Sequence, residues 1–169
     1  MMPPMRRLLL IAFACLALVV AGCGSDDSSS TSSSSGEATE KVEAPKEKTK
    51  PQVKAQQGAP PTELVANDLE EGSGPAAKAG DEVTVQYVGV NYKSGKEFDA
   101  SWDRGEPFTF ALGSGMVIPG WEEGIEGMKV GGRRELIIPP ELGYGSAGSP
   151  PAIPPNETLV FVVDLEAIN

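Results

Sequence analysis

The chain has 169 residues, 40% hydrophobic and 22% charged, with a formal net charge of -10. That length holds one globular domain of ordinary core size plus additional sequence, and the acidic balance argues against a nucleic-acid partner. Histidine is absent and the only cysteines are Cys15 and Cys23, which excludes histidine-based triads and argues against a zinc site; no metal and no cofactor is expected.

Residues 1–22 place Arg6 and Arg7 ahead of the apolar run LLLIAFACLALVVAG, the layout of a secretory signal. The run is shorter than the roughly 20 residues that span a bilayer. Val20, Ala21, Gly22 and Cys23 resemble the lipobox of bacterial lipoproteins, in which cleavage precedes the cysteine and its thiol carries a diacylglycerol. The resemblance implies lipidation of Cys23, loss of Cys15, and attachment to the cell membrane with the domain on the extracytoplasmic side. An ordinary signal peptide with a chance cysteine, or an uncleaved anchor, fits the same residues.

Residues 23–61 are low in complexity: serine-rich from Ser28 to Ser35, then a Glu, Lys, Pro, Thr, Ala and Gln mixture with scarcely any large apolar residue. Such a segment buries too little surface to offset its ordering entropy, and Pro45 and Pro51 interrupt any helix, so a disordered tether is expected. Its typical span is on the order of 30 to 37 Å.

Residues 62–169 form the expected folded domain. TELVANDL predicts a first weak strand. Val83, Val85 and Tyr87 then alternate on one face of a second, Ser94-Gly95 supplies a turn, residues 96–101 are extended, and Phe108, Phe110 and Leu112 alternate again. In VIPGWEEGIEGM, residues 117–128, Trp121, Ile125 and Met128 recur at i, i+4 and i+7. Pro119 stands near the start, Glu122 and Glu123 lie where the helix dipole favours negative charge, and Lys129 followed by Gly131 reads as the stop. Leu136 and Ile138 share a strand face, a Gly/Pro-rich loop covers residues 139–156, and Leu159, Phe161, Val163 and Leu165 form the last strand. The fold class is α+β, an antiparallel five- to six-stranded sheet wrapped around one short helix. Glu70 with Glu71, and Arg133 with Arg134, read as solvated positions.

Tyr87, Phe98, Phe108, Trp121, Tyr144 and Phe161 come from separate elements, although aromatics are only 6% of the chain. Together they read either as plain core or as a preformed apolar pocket. YGSAGSPPAIPP is too long and too rich in proline for a minimal hairpin and reads as a flap over a cavity.

VQYVG, KEFDAS, DRGEPFTFALG, VIPGWEEGIEGMKVGGRREL, IIPPELGYG and IPPNETLVFVVDL stand in the order, and nearly at the spacings, of FKBP-type peptidyl-prolyl cis-trans isomerases, and residues 62–169 resemble that family throughout. The resemblance implies an FKBP-like fold and catalysis of X-Pro rotation by Tyr87, Phe98, Asp99 and Tyr144, with the Tyr144 hydroxyl holding a substrate carbonyl. It implies substrate binding by Arg104, Phe108, Val117, Ile118, Trp121, Ile153 and Phe161, with Trp121 as the floor and the Ile118 backbone N–H as a second carbonyl holder. Asp99 either faces the twisted carbonyl or, paired with Arg104 and Tyr87, fixes the pocket's shape. The implied partners are proline-containing peptides, unfolded exported proteins and macrolides of the rapamycin type, bound by a monomer. Ser149 stands where some members have histidine, and Ala152 where they have a larger aliphatic residue. Two other classes remain: a non-catalytic module that grips proline-containing partners, and a β-rich lipoprotein that carries a hydrophobic ligand.

Overall fold

In the computed structural model, which describes residues 48–169, the alternating stretches become six strands. The signal expected over residues 1–22, Cys23 and the tether up to residue 47 lie outside the described residues. The strands are β1 (Val65–Glu70), β2 (Glu82–Asn91), β3 (Glu97–Ala100), β4 (Phe108–Ala111), β5 (Arg133–Ile138) and β6 (Leu159–Ile168). They pair antiparallel in the order β1-β5-β6-β2-β3, and β4 pairs with the first half of β2. The long β2 thus serves two neighbours on one side, β4 along Glu82–Val85 and β3 along Val88–Val90. Register shifts at Thr84/Val85 and Gly89/Val90 bend it between them. That bend curls the sheet around a helix.

The helix, Pro119–Ile125, lies across the inner face of the sheet and buries Trp121 and Ile125. It ends earlier than its periodicity predicts. Gly127, at φ 77, turns the chain out of helix, and Met128 reaches the core from that turn, with its N–H bonded to the Ile125 carbonyl. Gly120 and Gly124 let the helix sit close against β5: a Cβ at either would lie 2.5 to 2.6 Å from Ile138 or Leu136. A one-turn helix, α1 (Ser101–Arg104), was not legible as such; the longer helix is therefore α2. Ser101 is fully buried, and its hydroxyl accepts the Tyr87 N–H at 2.8 Å, which stops β3 from extending. Gly105, in the left-handed region, closes the turn.

Alternation along the strands creates two apolar layers. Val83, Val85, Tyr87, Leu136, Ile138, Phe161, Val163 and Leu165 meet α2 on the inner face, while Val88, Val90, Tyr92, Ala100 and Val160 form a second cluster on the outer face. Residues 48–61 depart from the tether expectation. They lie along this outer face, with Val53 in the second cluster and the Gln56 N–H bonded to the Tyr92 carbonyl at 2.8 Å. The physical reason is tertiary: averaged composition hides one well-placed valine and lysines that meet acids brought together by the folded domain. Lys48 Nζ lies 3.1 Å from Asp164 and 3.3 Å from Glu70.

The basic pair in β5 is also not solvated. Arg133 makes a two-pronged bond to Asp164, at 2.7 and 2.8 Å, and that carboxylate is only 2% exposed. Arg134 holds Asp68 at 2.6 and 3.0 Å and the Gly124 carbonyl at 2.9 Å, so it ties β1 to the end of α2.

Candidate active site

Between α2, β3, β4 and the 139–156 loop the inner face opens into a cavity of about 540 Å³. That volume is in the usual range for a small-ligand site. Trp121 floors it and is 4% exposed. Around the indole stand Tyr87 and Phe161, both edge-on with centroids 5.0 and 5.2 Å away, and Phe108 at 6.3 Å. Phe98 packs edge-on against Phe161 at 5.5 Å. Edge-to-face packing of this kind stabilises a fixed arrangement of rings. The Phe98 and Phe161 rings close over Gly89, where a Cβ would stand 2.6 to 2.8 Å from them. Any side chain there would push the wall outward.

The rim is partly polar. Tyr87 donates its hydroxyl to Asp99 Oδ2 at 2.5 Å, and Arg104 donates to Asp99 Oδ1 at 2.5 Å and to the Tyr87 hydroxyl at 2.9 Å. The three side chains form a closed triangle. Burial, reinforced by the bond to Asp99, pushes the Tyr87 phenol up to about 12. Arg104 is held above its ordinary range, first by its bond to Tyr87, and also rests over the tyrosine ring at 5.4 Å. On the opposite rim Tyr144 is 41% exposed and hangs from the loop. Burial of its ring and the nearby Asp99 charge raise its phenol, and its hydroxyl has no hydrogen-bond partner among the described residues. The Ile118 N–H, at the entry to α2, donates to no backbone carbonyl among them either. Among the described residues, Tyr144 and Ile118 thus offer unused donors above an aromatic floor. Among the described residues no three His, Cys, Asp or Glu side chains converge as a metal site.

A family profile described as FKBP-type peptidyl-prolyl cis-trans isomerase matches residues 74–166. The chain belongs to the FKBP-type peptidyl-prolyl cis-trans isomerases. It is 56% identical over 120 residues to an FK506-binding protein of Streptomyces anulatus, a match covering 70% of this chain and 97% of the relative. It is 51% identical over 116 residues to a probable FK506-binding protein of Corynebacterium glutamicum, covering 69% and 96%. The crystal structure of AtFKBP13 aligns with a TM-score of 0.60 at 39% identity, over 65% of this chain and 96% of that one. The expected α+β fold agrees with that likeness.

This FKBP-type domain brings all but one of the candidate residues to the cavity wall: Tyr87, Phe98, Asp99, Phe108, Val117, Ile118, Trp121, Tyr144, Ile153 and Phe161. Arg104 stands behind it, reaching the wall only through Asp99 and Tyr87. Three further residues of the isomerase domain complete the lining: Met116, Ser149 and Ala152. Met116 is 68% exposed and went unread, although its place directly before Val117 in one loop was available as a signal. From sequence, Glu122 reads as a helix-dipole residue. Its carboxylate reaches back to the N–H groups of Gly113 and Gly115, the latter at 2.9 Å, and so braces the loop that carries Met116 and Val117. Nothing in a dipole argument points to that role.

Proposed function

We propose that the domain assists folding of exported proteins by catalysing rotation about their X-Pro bonds, and that Cys23 anchors it by lipid to the outer side of the cell membrane. The observation that carries the catalytic part is the aromatic cavity floored by Trp121 with unused donors at Tyr144 and Ile118. Rotation about an X-Pro bond is opposed by a barrier of roughly 18 to 20 kcal/mol from amide resonance and takes tens of seconds unaided. No acid, nucleophile or metal is required. The twisted amide has lost its resonance dipole, so an apolar cavity penalises it less than the planar ground state. In this reading the prolyl ring lies on Trp121, Phe98 and Phe161 wall it in, and Tyr144 and the Ile118 N–H hold the flanking carbonyls. Reaching roughly 10 to 1,000 turnovers per second requires about 3 to 7 kcal/mol, within reach of desolvation and two placed hydrogen bonds. The remaining partners of the reading are proline-containing peptides and macrolides of the rapamycin type, bound by a monomer.

A protease-coupled isomerisation assay on a peptide with an apolar residue before proline tests catalysis. Acceleration over the uncatalysed rate, largely lost in Phe98→Ala, is expected; equal rates with and without protein would reduce the domain to a proline-binding module. Metabolic labelling with a fatty acid tests the anchor. Label that is absent, or that survives Cys23→Ser, removes it.

A further inference from the structure

Residues 48–61 lie ahead of residues 74–166, which match the family profile, and pack against the segment that carries three of the proposed site residues. β3 and α1 form a short two-sided ribbon. Phe98 and Asp99 face the cavity, with Arg104 bonded to Asp99 behind them, while Ala100 and Trp102 belong to the outer cluster. Residues 48–61 engage that second side. Lys50 Nζ lies 3.0 Å from Glu97 and 2.7 Å from Asp103, so a single ammonium group ties the residue before Phe98 to the residue before Arg104. Val53 packs in the cluster with Ala100 and Trp102, and the Gln56 N–H pins the segment to Tyr92 just past the end of β2.

On its cavity side the ribbon is held by the Ser101 and Asp99 bonds to Tyr87 and by Phe98 on Phe161; its outer side lies at the edge of the sheet. β3 is a four-residue edge strand whose only strand neighbour among the described residues is β2, its register slips at Gly89/Val90, and α1 is a single turn. Short edge elements of this kind open readily unless something covers them. We propose that residues 48–56 are a positioning strap, which sets the Phe98 ring and the Asp99–Arg104 pair from the face opposite the cavity and so tunes the rate of isomerisation. The strap acts through β3 and α1 and touches no substrate. The proposal deepens the catalytic reading above and depends on it only for the activity readout.

The test uses the full chain with Lys50→Glu, with Val53→Asp, and with both. Lys129→Glu is the control, since it places the same charge change at an exposed ion pair with Glu71, away from the ribbon. With every protein shown folded at the assay temperature by circular dichroism, kcat/KM is expected to fall about threefold to tenfold in Lys50→Glu, as two exposed attractions become repulsions, and to stay at the parent value in Lys129→Glu. Partial return in Lys50→Glu combined with Asp103→Lys is expected as well. The effect should be smaller in an Asp99→Asn background, which removes one of the two groups the strap sets, because coupled residues are not additive. A loss of equal size in that background, or an unchanged kcat/KM in the doubly substituted strap, overturns the proposal. The backbone amide resonances of Phe98, Asp99 and Arg104 provide a reading independent of turnover. If Lys50→Glu leaves them in place, the strap is not a positioning element, whatever the parent's activity.

Discussion

Two tyrosines face the cavity, and the same loss of a hydroxyl should affect them in opposite ways. Tyr87 is 7% exposed, donates to Asp99 at 2.5 Å and accepts from Arg104 at 2.9 Å. Bonds to charged groups contribute about 1.5 to 3 kcal/mol when both partners are buried. Asp99 and Arg104 are each more than 40% exposed and remain paired without the phenol, so the expected loss for Tyr87→Phe is about 1 to 2 kcal/mol. That corresponds to a fall in Tm on the order of 4 to 10 °C. Tyr144 is 41% exposed, and its hydroxyl has no partner among the described residues. Tyr144→Phe should therefore change folding stability by less than about 0.5 kcal/mol. On the proposed reading it removes one bond to a substrate carbonyl, worth about 0.5 to 1.5 kcal/mol, so kcat/KM should fall about twofold to twelvefold. Thermal unfolding by circular dichroism and the coupled isomerisation assay separate the two effects. Unchanged kcat/KM in Tyr144→Phe, or a Tm loss matching that of Tyr87→Phe, would refute the assignment of structure to one hydroxyl and substrate to the other.

Stability should decline in alkali for a reason located at Tyr87. Its phenol is pushed up to about 12 by burial, so the unfolded chain loses that proton first; the contribution is intact below about pH 10 and disappears as pH rises through 12, and Tyr87→Phe should unfold with a weaker pH dependence over that window when followed by denaturant titration. Arg133→Ala leaves the 2% exposed Asp164 carboxylate with only Lys48 among the charged partners in the described residues, and a stability loss of about 3 to 5 kcal/mol is expected from urea unfolding, against about 1 kcal/mol or less for Lys48→Ala. Asn91 is 4% exposed, donates to the Ala152 carbonyl at 3.2 Å and leaves its Oδ1 without a partner among the described residues. Asn91→Leu should hold or raise Tm, since an unsatisfied buried group is removed, while hydrogen exchange at the Ala152 and Ile153 amides quickens as the flap loses its tie.

What the sequence made legible was whatever periodicity or aromatic spacing records. The alternation of Val83, Val85 and Tyr87, and of Phe161, Val163 and Leu165, identifies β2 and β6 together with the faces they bury. Trp121 and Ile125 identify α2, and the six spaced aromatics do line one cavity. What stayed hidden depends on partners far away along the chain. Lys48 lies beside Asp164 only because β6 returns to the sheet centre, and no local composition contains that fact. The same holds for Arg133 and Arg134, which look solvated within their own strand and are ordered by acids from β6 and β1. Helix ends failed for a more local reason. Met128 continues the i+4, i+7 pattern of α2, but Gly127 had already turned the backbone, so side-chain periodicity outlasted the helix itself.

The role of Asp99 follows from counting donors. A peptide rotating about its X-Pro bond presents carbonyl oxygens, which need hydrogens, and an aspartate anion has none to give. Both Asp99 oxygens are in any case engaged, one by Arg104 and one by Tyr87, which offsets its charge beside an apolar cavity that a lone carboxylate would hydrate. The donors proposed to hold substrate are Tyr144 and the Ile118 N–H, and neither changes protonation near neutrality: one is a backbone amide and the other a phenol pushed above its ordinary value. With no histidine anywhere in the chain, the commonest general acid or base near pH 7 is missing. Accordingly kcat/KM should be flat from about pH 6 to 9 when measured by exchange NMR on a proline peptide, which avoids the protease's own pH dependence. A bell-shaped profile centred in that range would mean that a titrating group takes part in the rotation, and the account of a site built from desolvation and restraint would fail with it.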